Sequence, residues 1–480
     1  MFLLEALAVF ILSVAILLVL NSYYSSSVSE EVYIGISSES LVQTLPATVL
    51  KDKPFSGLYF NHIHPPMFDG IRASIAYFWK LDRGLSLRDF VDKGVYHVYT
   101  VLFGALGVLL FIWLKKATGS RLFSWIGTIL WLVHPAPLSM AAFLDGTFLS
   151  SILITWMVFE VWLIGRKEQS ISRLILVAIL CFFTRAHFQW FFVPVLGVAM
   201  LLMSTKANKK SLLYGLCIFS LVVGMYCIKQ YMLFGTVNSY GWYGEKLAGL
   251  LWIEEVGEVV SKGYKENCGG REIVRDRIGC KQYLGQIFPD ELMQVDRLYP
   301  QGALSVSGGS NTEDRWWLTQ VQSRIAKDYC SKNVWVCAES FSKSLLQNFP
   351  EYWVESWDRN NPLLSRDNGI PWVNIYYKIV HNYPWILFCS AIIFVIIILR
   401  RWQTASKVRI LGVCVVPSYV LGITLLGNNY DAFEGGRLKF LLEPTIYVFI
   451  LVHIYLAIKF IYIGASPQST SFGNSKPAPK

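Results

Sequence analysis

Apolar positions in this chain come in runs of about 17–25 residues with few charges, the length and composition that span a bilayer as α-helix. Such runs fall near residues 3–20, 96–114, 122–142, 146–164, 172–186, 188–203, 212–234, 384–399, 410–427 and 440–462. The pattern predicts an all-α polytopic membrane protein with about ten transmembrane helices. The fifth and sixth runs are short and share a polar bend, Thr184-Arg185-Ala186-His187. Two long polar stretches, 21–95 and 235–382, interrupt the pattern. The chain therefore divides into a membrane module over 1–234, a loop domain over 235–382, membrane helices over 383–463 and a Ser/Pro/Gly-rich tail over 464–480, read as disordered and cytoplasmic.

Composition agrees: 54% of the 480 residues are hydrophobic and 16% charged, with a mean hydropathy of +0.42, against about 25% charged residues in soluble domains. Short cytoplasmic loops collect Lys and Arg. With the N-terminus inside, Lys115, Lys116 and Arg121 fall on one side with Arg166, Lys167 and Arg173. Lys206, Lys209, Lys210, Arg400, Arg401, Lys407 and Arg409 join them. The net charge of +10 thus reads as membrane orientation and not as nucleic-acid binding. Both long loops then face away from the cytoplasm. The first run lacks a basic start and a small-residue cleavage site, so it reads as a retained helix and not a signal peptide.

In loop one, Ser37 or Ser38 reads as the N-cap of a helix over Ser38–Leu50 with Glu39 in its first turn. Asn61-His-Ile-His-Pro-Pro66 follows, then an amphipathic, aromatic segment, Met67–Trp79, suited to the bilayer interface. Loop two is rich in Trp, reads as helical around 313–330 and 336–348, and has a Gly/Ser-rich lid or hinge candidate over Gly302–Asn311. It holds Cys268, Cys280, Cys330 and Cys337, an even number that points to two disulfides in an oxidising compartment. Of the three possible pairings, Cys268 with Cys280 and Cys330 with Cys337 is the most local. Neither loop carries an Asn-x-Ser/Thr sequon, which leans towards a bacterial inner membrane over the endoplasmic reticulum.

Ionisable groups at the edge of the membrane are costly and mark candidate chemistry. On the outer side these are Glu39, His64, Asp145, Arg185, His187, Asp431, Glu434, Arg437, Lys439 and Glu443. His134-Pro135-Ala136-Pro137 reads as a proline kink, and His453 as a packed polar residue.

The order of these residues resembles the GT-C class of membrane glycosyltransferases, which includes protein O-mannosyltransferases and aminoarabinose transferases. The resemblance rests on Ser38-Glu39, then His64-Pro65-Pro66-Met67, and on Phe143-Leu144-Asp145-Gly146 at the outer start of the fourth helix. Phe183-Thr184-Arg185, Leu233-Phe234-Gly235-Thr236 with Asn238-Ser239-Tyr240, and Glu434-Gly-Gly-Arg437 before Glu443-Pro444 complete it. The chain departs from that class in having Ser-Glu where Asp or Asp-Glu is usual.

The resemblance implies transfer of a sugar from a polyprenyl-phosphate carrier to an extracytoplasmic glycan, lipid or protein, with inversion. Glu39 would be the general base. Arg437, Lys439 and Arg185 would meet the leaving phosphate, with His64, Asp145 and Glu434 at the substrates. A divalent metal between Glu39, His64 and another acid fits the residue types without being demanded by their spacing. Competing readings are an O-antigen-type polymerase or ligase, which relies on Arg and His of the large loop, and a lipid-linked sugar transporter, which places ionisable or broken helices at the midplane. A structural scaffold is the plainest alternative.

Overall fold

The computed structural model describes residues 2–28, 34, 37–39, 44–59, 61, 65–79, 84–166, 171–185, 188, 190–204, 209–234, 237, 330–339, 342, 404–427 and 440–464. The described residues form helices, with no strand among them. In the first half of the chain these are α1 (Phe2–Val28), α2 (Ala47–Asp52), α3 (Pro54–Tyr59), α4 (Met67–Tyr77), α5 (Leu87–Thr118), α6 (Arg121–Leu132), α7 (Pro135–Ala142) and α8 (Gly146–Gly165). They continue with α9 (Ile171–Thr184), α10 (Phe192–Met203), α11 (Lys209–Phe234), α12 (Thr404–Gly427) and α13 (Glu443–Gly464).

Among the described residues four helices are long and apolar enough to cross a membrane: Leu3–Ser22 within α1, then α5, α8 and α11. The bent pair α6–α7 makes a fifth if counted as one span. Shorter apolar helices cover Ile171–Thr184, Phe192–Met203, Leu411–Gly422 and Glu443–Leu456. The expected run at 384–399 lies outside the described residues.

Contacts between helices fix their directions. α1 runs antiparallel to α5, since Glu5 pairs with Lys115 at one end and a Cβ on Gly104 would lie 2.6 Å from Phe10 Cε2 further along. Small residues at such a seam let two helix backbones approach where lipid gives no hydrophobic gain. α8 runs parallel to α5: Phe103 stacks on Phe148 at 6.3 Å, Trp113 meets Phe159 at 5.5 Å, and Arg166 Nη1 donates to the Lys116 carbonyl at 3.0 Å. α13 runs back along α6, with Tyr447 donating to the Gly127 carbonyl at 2.8 Å and Tyr455 against Phe123 at 5.0 Å. α8 is largely apolar and is buried on nearly every face, the mark of a central helix.

One end of the bundle thus collects Lys115, Lys116, Arg121 and Arg166 around Glu5, which is 2.8 Å from Arg121. The charge pattern along the chain placed these basic residues together. α5 stops there because Gly119 adopts φ +73°, a left-handed turn that a side chain would strain.

One local expectation is corrected. The helix expected over Ser38–Leu50 starts at Ala47, with Ser38 and Glu39 in a turn. Pro46 explains this, because a proline disfavours helical geometry in the residue before it and fits at a helix start. Helix extends into the 21–95 stretch at both ends, since α1 continues to Val28 and α5 begins at Leu87. Ser86 caps α5 by accepting the Asp89 amide at 3.1 Å, so the charged run at Arg88, Asp89, Asp92 and Lys93 is the first turns of that helix.

The kink expected at His134-Pro135 is present as a 52° bend between Arg121–Leu132 and Ala136–Ala142. His134 caps α7, its Nδ1 accepting the Ala136 amide at 3.2 Å, and its ring stacks on Trp131 at 5.6 Å. His453 Nδ1 lies 2.6 Å from the Phe449 carbonyl, a packed polar contact within α13. Cys330 and Cys337 are bridged, with Cα atoms 5.7 Å apart, as the most local pairing expected. Cys268, Cys280 and the lid candidate Gly302–Asn311 lie outside the described residues.

Candidate functional site

The end of the bundle opposite the basic cluster gathers residues from α4, α5, α8, the end of α9 and the segment before α13. At its centre is the start of α8. Asp145 caps this helix, its Oδ1 accepting the Thr147 amide at 2.8 Å and its Oδ2 the Thr147 hydroxyl at 2.6 Å. Arg185, at the break after α9, donates from Nη2 to Thr147 Oγ1 at 2.6 Å. Thr147 therefore couples a buried carboxylate to a buried guanidinium, Asp145 being 2% and Arg185 4% exposed. The Tyr99 hydroxyl donates to the Asp145 carbonyl from α5.

Loop one and the C-terminal helices approach the same place. Thr184 Oγ1 lies 3.0 Å from Met67 Sδ, at the start of α4, and Phe68 meets Tyr99 at 6.4 Å. α4 begins directly after Pro65-Pro66, with Pro66 in the N-cap position. Phe440, which follows Lys439, stacks on Phe148 at 6.1 Å, and its carbonyl accepts Ser151 Oγ at 2.8 Å one turn into α8. His64, His187, Asp431, Glu434, Arg437 and Lys439 lie outside the described residues, while Met67 and Phe440, which follow His64 and Lys439 in sequence, pack near the start of α8.

Glu39 is half-buried in the turn before α2. Its Oε1 accepts the Ala47 amide at 3.2 Å, which caps that helix. A carboxylate held through one oxygen keeps the other as an acceptor.

Beside it lies a buried ionic network that sequence reasoning missed. Arg72 Nη1 is 2.7 Å from Asp69 Oδ1 and 2.6 Å from the Leu45 carbonyl. Arg72 Nε donates to Ser38 Oγ at 3.0 Å. Ser38 in turn donates its hydroxyl, at 2.5 Å, and its amide, at 3.0 Å, to Asp92 Oδ1. Asp69 also accepts the Leu45 amide at 3.3 Å and Asn61 Nδ2 at 3.1 Å. Arg72 is 0% exposed, and its Nη2 has no hydrogen-bond partner among the described residues. Burial pushes the Asp69 carboxyl above its ordinary range, while Arg72, the Leu45 amide and Asn61 pull the other way. A charged i,i+3 pair inside an otherwise apolar helix face was the available signal.

Among the described residues no three His, Cys, Asp or Glu side chains form a group able to hold a metal ion. No protein-family model matches the chain, and no curated protein or solved structure is similar to it.

Proposed function

We propose that the protein is an integral-membrane glycosyltransferase that takes a sugar from a polyprenyl-phosphate carrier and passes it to an extracytoplasmic acceptor. The observation that carries this reading is the convergence on the α8 start: Met67, Asp145, Thr184 with Arg185, and Phe440 meet there. These are residues of the sequence motifs, or their immediate neighbours, and the cluster lies opposite the basic end of the bundle.

In this reading the chain has about ten spans, the basic end is cytoplasmic, and the membrane is a bacterial inner membrane. Glu39 removes the acceptor hydroxyl proton. The acceptor oxygen attacks the anomeric carbon from the face opposite the phosphate, so configuration inverts. The bond from carbon to phosphate oxygen breaks and its electron pair leaves on the lipid phosphate. Arg185, Arg437 and Lys439 stabilise that charge, which guanidinium groups do with paired hydrogen bonds. His64 lines the donor site and Glu434 supports Arg437. Asp145 acts through Thr147, holding Arg185 in place. No step requires a metal.

The test is radiolabelled transfer from purified polyprenyl-phosphate mannose, glucose and aminoarabinose in proteoliposomes, comparing wild type with Glu39→Gln. Turnover lost on substitution supports both class and base. Absence of turnover with every donor, in folded protein, moves the reading to the polymerase and transporter alternatives.

A further inference from the structure

We infer that Asp92, acting through Ser38, is a positioning device for Glu39. The inference rests on the reading of Glu39 as general base. Ser38 and Glu39 are adjacent in one turn, and Glu39 Oε1 reaches Ala47. That turn is pinned on both sides of Glu39. On the near side, Asp92 Oδ1 takes both the amide and the hydroxyl of Ser38, from a helix 54 residues away in sequence. On the far side, Asp69 holds the Leu45 amide and Arg72 the Leu45 carbonyl. Thr44 adds a closure within the loop, its hydroxyl donating to the Ser38 carbonyl at 2.8 Å.

Arg72 bridges the two sides, since its Nε reaches Ser38 and its Nη1 reaches Leu45 and Asp69. The loop thus gains an ionic floor built from α4 and α5, and a carboxylate on a short turn gains the fixed geometry that general-base catalysis needs. Asp92 never meets substrate in this arrangement. It accepts two hydrogen bonds, and an amide oxygen can accept the same two.

The Ala47 amide reports Glu39 directly, because Glu39 Oε1 is the acceptor at that helix start. Residue-resolved amide exchange on the full chain in lipid nanodiscs, with Asp92→Ala and Asp92→Asn beside wild type, therefore tests the device without requiring catalysis. Asp92→Ala should speed exchange at Ala47 roughly tenfold or more, the order expected when hydrogen bonds to a carboxylate are lost. Asp92→Asn should restore near wild-type exchange at Ala47. The Leu45 amide, held by Asp69, should stay slow in both. Donor turnover per folded molecule should run opposite to the Ala47 exchange rate, lowest in Asp92→Ala and near wild type in Asp92→Asn, with the donor KM unchanged.

Ala47 exchange that stays at the wild-type rate in Asp92→Ala overturns the inference. So does an Asp92→Asn variant as impaired as Asp92→Ala, which would assign the role to charge. If Asp92→Ala does not fold, Ser38→Ala removes the hydroxyl, with its links to both Asp92 and Arg72, and keeps the Ser38 amide on Asp92; faster Ala47 exchange is expected there, and an unchanged rate overturns the inference. Exchange that follows the expected order while wild type transfers no sugar leaves the positioning intact and sinks the glycosyltransferase reading instead.

Discussion

Glu39 Oε1 accepts the backbone amide of Ala47 at 3.2 Å, so the proposed base is also the cap of the helix that follows it. The two roles separate by substitution. Glutamine keeps an oxygen for the cap and loses basicity, whereas alanine loses both. Glu39→Gln should abolish transfer with the thermal midpoint unchanged. Glu39→Ala should abolish transfer and lose about 1 kcal/mol of stability, the usual worth of a cap. Transfer surviving in Glu39→Gln assigns the base elsewhere.

Arg72 pairs with Asp69 where neither reaches solvent. Removing one member of a buried pair leaves the other stranded and costs about 3–5 kcal/mol. Arg72→Met should therefore lower the apparent unfolding free energy by about that amount, and Asp69→Asn added to it should recover part of the loss. A strictly additive double variant would mean that the pair is not coupled.

The same pair sets a pH dependence. Burial raises the Asp69 carboxyl above its ordinary value of 3.8. The folded chain then binds that proton more tightly than the unfolded chain. Its contribution to stability is complete below the unfolded value and is lost as pH rises through the raised folded value. Measured against Asp69→Asn across the acidic range, wild type should lose relative thermal stability as pH increases, then level off. The opposite slope would show that Arg72 outweighs burial.

Thr147 is the hinge between Asp145 and Arg185. Thr147→Val keeps the shape and removes the hydroxyl. If Arg185 meets the donor phosphate, the donor KM should rise about two- to tenfold, the worth of one hydrogen bond, with kcat per bound donor less affected. An unchanged KM argues that Arg185 is structural.

Some of this was legible in the sequence and some was not, for identifiable reasons. The His134-Pro135 break and the basic end were read because each depends on local chemistry or on charge counting, whereas the Ser86 cap, also local, went unread. Pro46 was equally local and was overlooked, so α2 was expected too early. Asp145 and Arg185 could be placed at the helix edges, yet Thr147 as their link required tertiary geometry. Asp69 and Arg72 lay unread within the segment Met67–Trp79; their i,i+3 spacing suggests a pair but not what it holds. Their partners are backbone groups of Leu45 and the Ser38 hydroxyl, 24 to 34 residues away in sequence, which no pattern along α4 reveals.

Glu5 carries a different kind of consequence. Its partners Lys115 and Arg121 are made after it, Lys115 by 110 residues. During synthesis α1 therefore emerges before either side-chain cation that pairs with Glu5 in the fold. Its lateral docking must wait for α5 and α6, and chains truncated before Lys115 should leave α1 unlatched to crosslinking probes. The turn bearing Glu39 likewise takes its shape only as α5 is delivered, because its partner Asp92 arrives on that same helix.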